Sequence, residues 1–113
     1  MKYMLLIYHD EKRWNEIAES ERQQIHGEFR KLREDLQSRG QFLDGSQLQP
    51  STTATSIRVR NDKQLVTDGP FAETHEQLGG YFLIEAGNLD EATAIAARIP
   101  SARTGTVEVR PLM

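Results

Sequence analysis

Asp68, Glu73 and His75 stand within one short stretch, Asp68-Gly69-Pro70-Phe71-Ala72-Glu73-Thr74-His75. Asp68 could serve as a general base or as an anchor for a ligand, provided its surroundings shift its titration toward the working pH. It could equally cap the turn by accepting from the backbone N–H of Phe71 or Ala72, since Pro70 has none to offer. Glu73 and His75 are two residues apart, so they share a face only if the backbone there is a strand. Imidazole titrates near neutrality, which makes an acid–base pair one reading and a solvated surface pair the other. Phe71 lies at the centre of the same loop, where it could hold a ligand or form an exposed recognition patch. Elsewhere, His9 and Asp10 sit where an apolar run ends, a favoured place for pocket residues. His26 stands on a helical stretch beside an apolar stripe, near Arg30 and Arg33. Either histidine could belong to a pocket or be a packed residue at a core edge. Tyr81 follows Gly79-Gly80, whose missing side chains let a ligand or another backbone come close. The catalytic candidates are therefore Asp68, His26 and His9, and the ligand-binding candidates are Tyr81, Phe71, Glu73 and His75. Arg58, Arg60 and Arg110 could form a basic strip across neighbouring strands, or simply a solvated sheet edge.

Those residues must be carried by elements that the pattern makes legible. Lys2 to Tyr8 reads as a strand apolar on both faces, with Tyr3, Leu5 and Ile7 on one and Met4, Leu6 and Tyr8 on the other. Lys12 to Ala18 reads as a short helical turn carrying Trp14 and Ile17. Ser20 to Arg39 reads as the main helix, with Ser20 and Gln23 as a capping box, Ile25, Phe29, Leu32 and Leu36 as its apolar stripe, and Gly40 at its C-cap. A short strand starts at Gln41 and runs into Gly45. Ser56 to Arg60 and Gln64 to Thr67 read as a hairpin turning at Asn61-Asp62, with Ile57 and Val59 facing in. The Asp68 loop follows, with a helical turn opened by Pro70 as one option. Tyr81 to Ile84 is a second strand apolar on both faces. Asn88 and Glu91 cap a second long helix, which carries Leu89, Ala92, Ile95, Ala96 and Ile99 and stops at Pro100. Thr106 to Arg110 is the last strand.

The chain has 113 residues, 37% of them hydrophobic and 27% charged, with net charge −3. One soluble domain over residues 1–113 is expected, without the basic face that direct nucleic acid binding requires. The absence of cysteine removes disulfide, thiolate-metal and thiol-nucleophile chemistry. His9, His26 and His75 lack the spacing of a metal-binding helix, so no metal and no cofactor is expected. No apolar run is long enough to span a membrane, and the cytoplasm is the expected location.

Strand, helix, strand, hairpin, strand, helix, strand is an α+β order of ferredoxin-like type with an inserted β-hairpin, a mostly antiparallel sheet and helices on one face. Two inner strands with two apolar faces require a cover on the helix-free side. Burying several hundred Å² there contributes on the order of 10 kcal/mol before association entropy is subtracted. A homodimer, sheet against sheet, is the simplest cover.

Met1 to Tyr8, Val66 to Thr74, Glu76 to Ile84, Ala97-Arg98-Ile99-Pro100 and Val107 to Pro111 together resemble the YCII-related superfamily, in its DGPF branch. The likeness runs through essentially the whole chain. It implies a dimeric ferredoxin-like α/β barrel of unassigned biochemistry. It also implies kinship with small proteins proposed to be enzymes on the strength of a pocket His–Asp pair. The branch's association with alternative sigma factors implies a second role, a regulatory interaction module with a transcription-factor partner. Position 75, commonly Lys in that motif, is His75 here, so the resemblance lends His75 no role.

Overall fold

Alternation of large apolar side chains makes β1 (Lys2–His9) the spine of the molecule. In the computed structural model, which describes residues 1–113, β1 lies between β5 (Gln77–Glu85) and β6 (Thr106–Pro111). β2 (Phe42–Gln47) pairs with the outer side of β5, giving an antiparallel sheet in the order β2-β5-β1-β6. Tyr3, Leu5 and Ile7 of β1 and Phe82 and Ile84 of β5 are buried on one face. They pack there against α2 (Glu19–Ser38) and α3 (Leu89–Ala97), whose buried members are Leu32 and Leu36, and Ala92, Ile95 and Ala96. The alternate residues Met4, Leu6, Tyr8, Tyr81 and Leu83 are only half-buried and point to the helix-free side, where period-2 alternation puts them.

The fold is thus α+β with a wholly antiparallel main sheet, as the element order predicts. The sheet is open: β2 and β6 are its edges and nothing in the chain closes it into a barrel. A short helix, α1 (Glu11–Glu16), precedes the two long ones, where the helical turn over Lys12 to Ala18 is expected.

β3 (Thr55–Arg60) and β4 (Lys63–Asp68) form a separate two-stranded sheet. Asn61 and Asp62 turn it with φ of 52° and 61°, the left-handed pair that matches strand twist in a two-residue hairpin. Here one expectation fails. Ile57 and Val59 do not face in; each is 59% exposed, and Val66 is 58% exposed. The hairpin's alternation is correct, but within this chain there is no core beneath it.

Two other local readings are corrected. α2 starts at Glu19 after Ala18, with no side-chain cap. Ser20 is already helical, so its hydroxyl cannot serve as the cap. Residues 71–76 are irregular rather than helical or extended, so Glu73 and His75 do not share a strand face. Asn88 does cap α3 through Glu91 N–H at 2.9 Å, and Gly40 takes φ of 70° past α2.

Candidate functional site

Asp10 follows β1 and caps α1, its carboxylate accepting from the backbone N–H of Lys12 at 3.0 Å and Arg13 at 3.3 Å. Arg22 closes the other end, donating to the carbonyls of Trp14 and Ile17 at 3.2 and 3.1 Å. Glu11 ties the helix sideways by accepting from Ser51 N–H and Oγ at 2.7 and 2.8 Å. A six-residue helix would not stand alone. Held at three points, it fixes the indole of Trp14.

Beneath it lies a cavity of about 340 Å³. Its roof is α2 around Ile25 and Phe29, both only half-buried, with Phe29 packed edge-on against Phe82 of the sheet. Its floor runs from Ile7 and His9 of β1 to Gly79, Gly80 and Phe82 of β5 and Gly45 of β2. At each of these glycines a Cβ would meet a neighbour, His9 at Gly79, the Ser46 carbonyl at Gly80 and the Tyr81 carbonyl at Gly45, so their missing side chains permit close approach. Trp14 neighbours two imidazoles: its ring centroid is 6.3 Å from that of His9, edge-on, and 5.3 Å from that of His26, tilted at 47°. Arg13, Arg30 and Arg33 also line the cavity, with Asp10 and Glu21 as its carboxylates. A rigid aromatic wall, two imidazoles and a cationic rim can bind a small molecule and move a proton on it.

The sequence-derived candidates divide. His9 and His26 line the cavity. His75 is 91% exposed in its side chain and reaches Asp10 Oδ2 only at 3.7 Å. Asp68, at the end of β4, is exposed and makes no hydrogen bond through its carboxylate, so the expected cap on Phe71 or Ala72 does not form. The loop is instead held by Gly69, whose N–H donates to the Ala54 carbonyl and whose carbonyl accepts from Ser56 Oγ at 2.8 Å. Phe71 is 79% exposed, and Glu73 is also in solvent. Tyr81 points to the opposite face of the sheet and donates to Asp44 Oδ2 at 3.2 Å. That carboxylate raises the Tyr81 phenol above its ordinary range, first through the hydrogen bond and then through its charge. Asp68, Phe71, Glu73, His75 and Tyr81 do not line this cavity. Arg58 and Arg60 sit on the hairpin while Arg110 is on β6, ion-paired to Glu108; no common strip forms.

Trp14 and Arg13 escaped notice as site residues. The available signal was local: both follow Asp10 by three or four positions, within the helical turn that a capping aspartate opens. His26, Arg30 and Arg33, at i, i+4 and i+7, mark one face of α2. The three histidines do not join acidic side chains in any group able to hold a metal ion. No helix is long and apolar enough to cross a membrane.

A family model for the YCII-related domain matches residues 1–113. An uncharacterized protein of Rhizobium meliloti (strain 1021) is 35% identical over 114 residues, covering 99% of this chain and 92% of that relative.

Proposed function

The chain belongs to the YCII-related family, and from that premise we propose that it is a small-molecule-binding protein whose cavity can support acid–base chemistry. The observation that carries this is the pair of imidazoles, His9 and His26, each next to Trp14 and lining one cavity with it. In this reading they donate and accept protons, and Trp14 positions the ligand within their reach. The test is a metabolite thermal-shift screen on the wild type and on His9→Ala and His26→Ala. A compound that raises the melting temperature of the wild type and of neither variant supports the reading. A screen in which no compound separates the three proteins overturns it.

We further propose a ferredoxin-like homodimer of the DGPF branch, working in the cytoplasm, with a second copy covering the helix-free face. Surface arithmetic supports this. The chain exposes 7929 Å², whereas a folded monomer of this mass exposes roughly 6,300 Å². An excess of roughly 1,600 Å² per chain falls in the range of obligate dimers. The hairpin points the same way, since a lone two-stranded sheet is marginal in water.

The exposure of Phe71, together with that of Ile57, Val59 and Val66 on the hairpin, favours a second reading. In it, the Asp68-Gly69-Pro70-Phe71 loop is a recognition surface for a transcription-factor partner such as an alternative sigma factor. The two readings separate on Phe71→Ser, which should leave ligand-induced stabilisation intact and abolish partner capture.

A further inference from the structure

Five of the chain's arginines are ion-paired: Arg22 to Glu19, Arg39 and Arg98 to Asp35, Arg103 to Glu28, and Arg110 to Glu108. Arg13, Arg30 and Arg33 are not. None of these three makes an ion pair or a side-chain hydrogen bond within the chain, and all three line the same cavity. They are exposed as well as lining, which places them at its mouth. Arg13 comes from α1, and Arg30 and Arg33 from α2, so the cations approach from two elements. An unpaired guanidinium is a planar fork suited to a carboxylate or phosphate.

Two observations choose between those anions. The lining carries three arginines and two carboxylates, Asp10 and Glu21, a net charge of +1 with neutral imidazoles. The whole chain carries −3, so the mouth is a positive spot on a negative molecule, which draws anions toward it. One positive charge balances one carboxylate; a phosphate monoester, with roughly −1.5 to −2 near neutrality, would be undercompensated. Behind the arginines the cavity turns apolar and aromatic, with Trp14, Phe29, Ile25 and Phe82.

We propose that the ligand is a small organic monocarboxylate with a flat apolar or aromatic body, its carboxylate held by Arg13, Arg30 and Arg33 and its body against Trp14. This rests on the binding function proposed above and adds the ligand's chemical class. Trp14 is the only tryptophan and reports directly. The experiment titrates its fluorescence with benzoate, benzamide and phenyl phosphate, and follows backbone amide shifts by NMR in parallel. The expected result is saturable change with benzoate, at least about tenfold weaker binding of neutral benzamide, and a similar loss of benzoate affinity in Arg30→Gln and Arg33→Gln. Arg58→Gln, on the hairpin, should bind benzoate as the wild type does. Equal binding of benzoate and benzamide would overturn the carboxylate assignment while leaving a small-molecule cavity standing. Tighter binding of phenyl phosphate would overturn it in favour of a phosphate. If no probe perturbs Trp14 or the amides lining the cavity, this inference fails, and the metabolite screen decides separately whether the cavity binds anything else.

Discussion

His9 occupies the space that a side chain at position 79 would need. A Cβ there would lie 2.5 Å from Nε2 and 2.6 Å from Cδ2 of the imidazole. Gly79 is the extra residue where β5 slips its register against β1, between the Ile7–Gly80 and Tyr8–Leu78 pairs. Such a bulge commonly re-aims a neighbouring side chain. The clashing atoms are the far end of a side chain, and Gly79 does not have a positive φ. Gly79→Ala should therefore fold, with His9 swung out of the cavity. NMR should show the His9 ring resonances moving toward those of a solvated imidazole, with the melting temperature changed little. Unmoved ring resonances would mean that His9 does not depend on the bulge. The Gly79-Gly80 pair was legible as a place of close approach. The identity of the approaching group was not, because it depends on a register slip that no residue pattern encodes.

α2 works as two halves. Leu32 and Leu36 are buried against the sheet, and Leu36 is fully enclosed. The half before Gly27 carries Ile25 over the cavity and is only partly covered. Leu36→Ala should lower stability by roughly 2–5 kcal/mol, as truncation of a fully packed leucine does. Ile25→Ala, next to empty space, should cost distinctly less; chemical denaturation of both variants checks this. The packed half is also tied to α3. Asp35 accepts from Arg98 at 2.8 Å and from Arg39 at 3.2 Å. The Arg98 hydrogen bond holds the Asp35 carboxyl below the usual aspartate value of 3.8, with the charges of Arg39 and Arg98 acting in the same direction against partial burial. A carboxyl that binds its proton less tightly when folded stabilises the fold above its unfolded titration point and loses that effect as pH falls. Asp35→Asn should thus melt slightly below the wild type at pH 7. The gap should close as pH falls through 3.8 and below; a gap independent of pH would exclude the ion pair as its cause. The apolar stripe Ile25-Phe29-Leu32-Leu36 was visible as a period. Nothing in that period distinguishes the turns that touch the sheet from those that roof a void, since both need the same residue types.

The whole molecule is a plate, 47 × 39 × 18 Å, with a Cα radius of gyration of 15.9 Å; a domain of this length ordinarily has about 13 Å. The difference lies in an arm, the hairpin, that the chain holds away from its core. A plate with one greasy side and an extended arm should be stabilised by self-association, so dilution should weaken it. The melting temperature should rise with protein concentration, and Leu83→Lys, on the helix-free face, should remove that dependence. Light scattering of the wild type that finds single chains at micromolar concentration would defeat the proposal. At this scale the order of elements along the chain and the α+β class were readable, because hydrophobic period and cap residues are local. The hairpin's solitude was not, since alternation states which side is apolar and says nothing of what lies against it. The strand arrangement carries one more consequence. β2, β3, β4 and β6 each present an unpaired rim of backbone donors and acceptors, which is the template on which cross-β fibrils grow. The charges of Arg58, Arg60 and Lys63 along the arm stand as gatekeepers against such growth, and replacing them with apolar residues should make the protein aggregate.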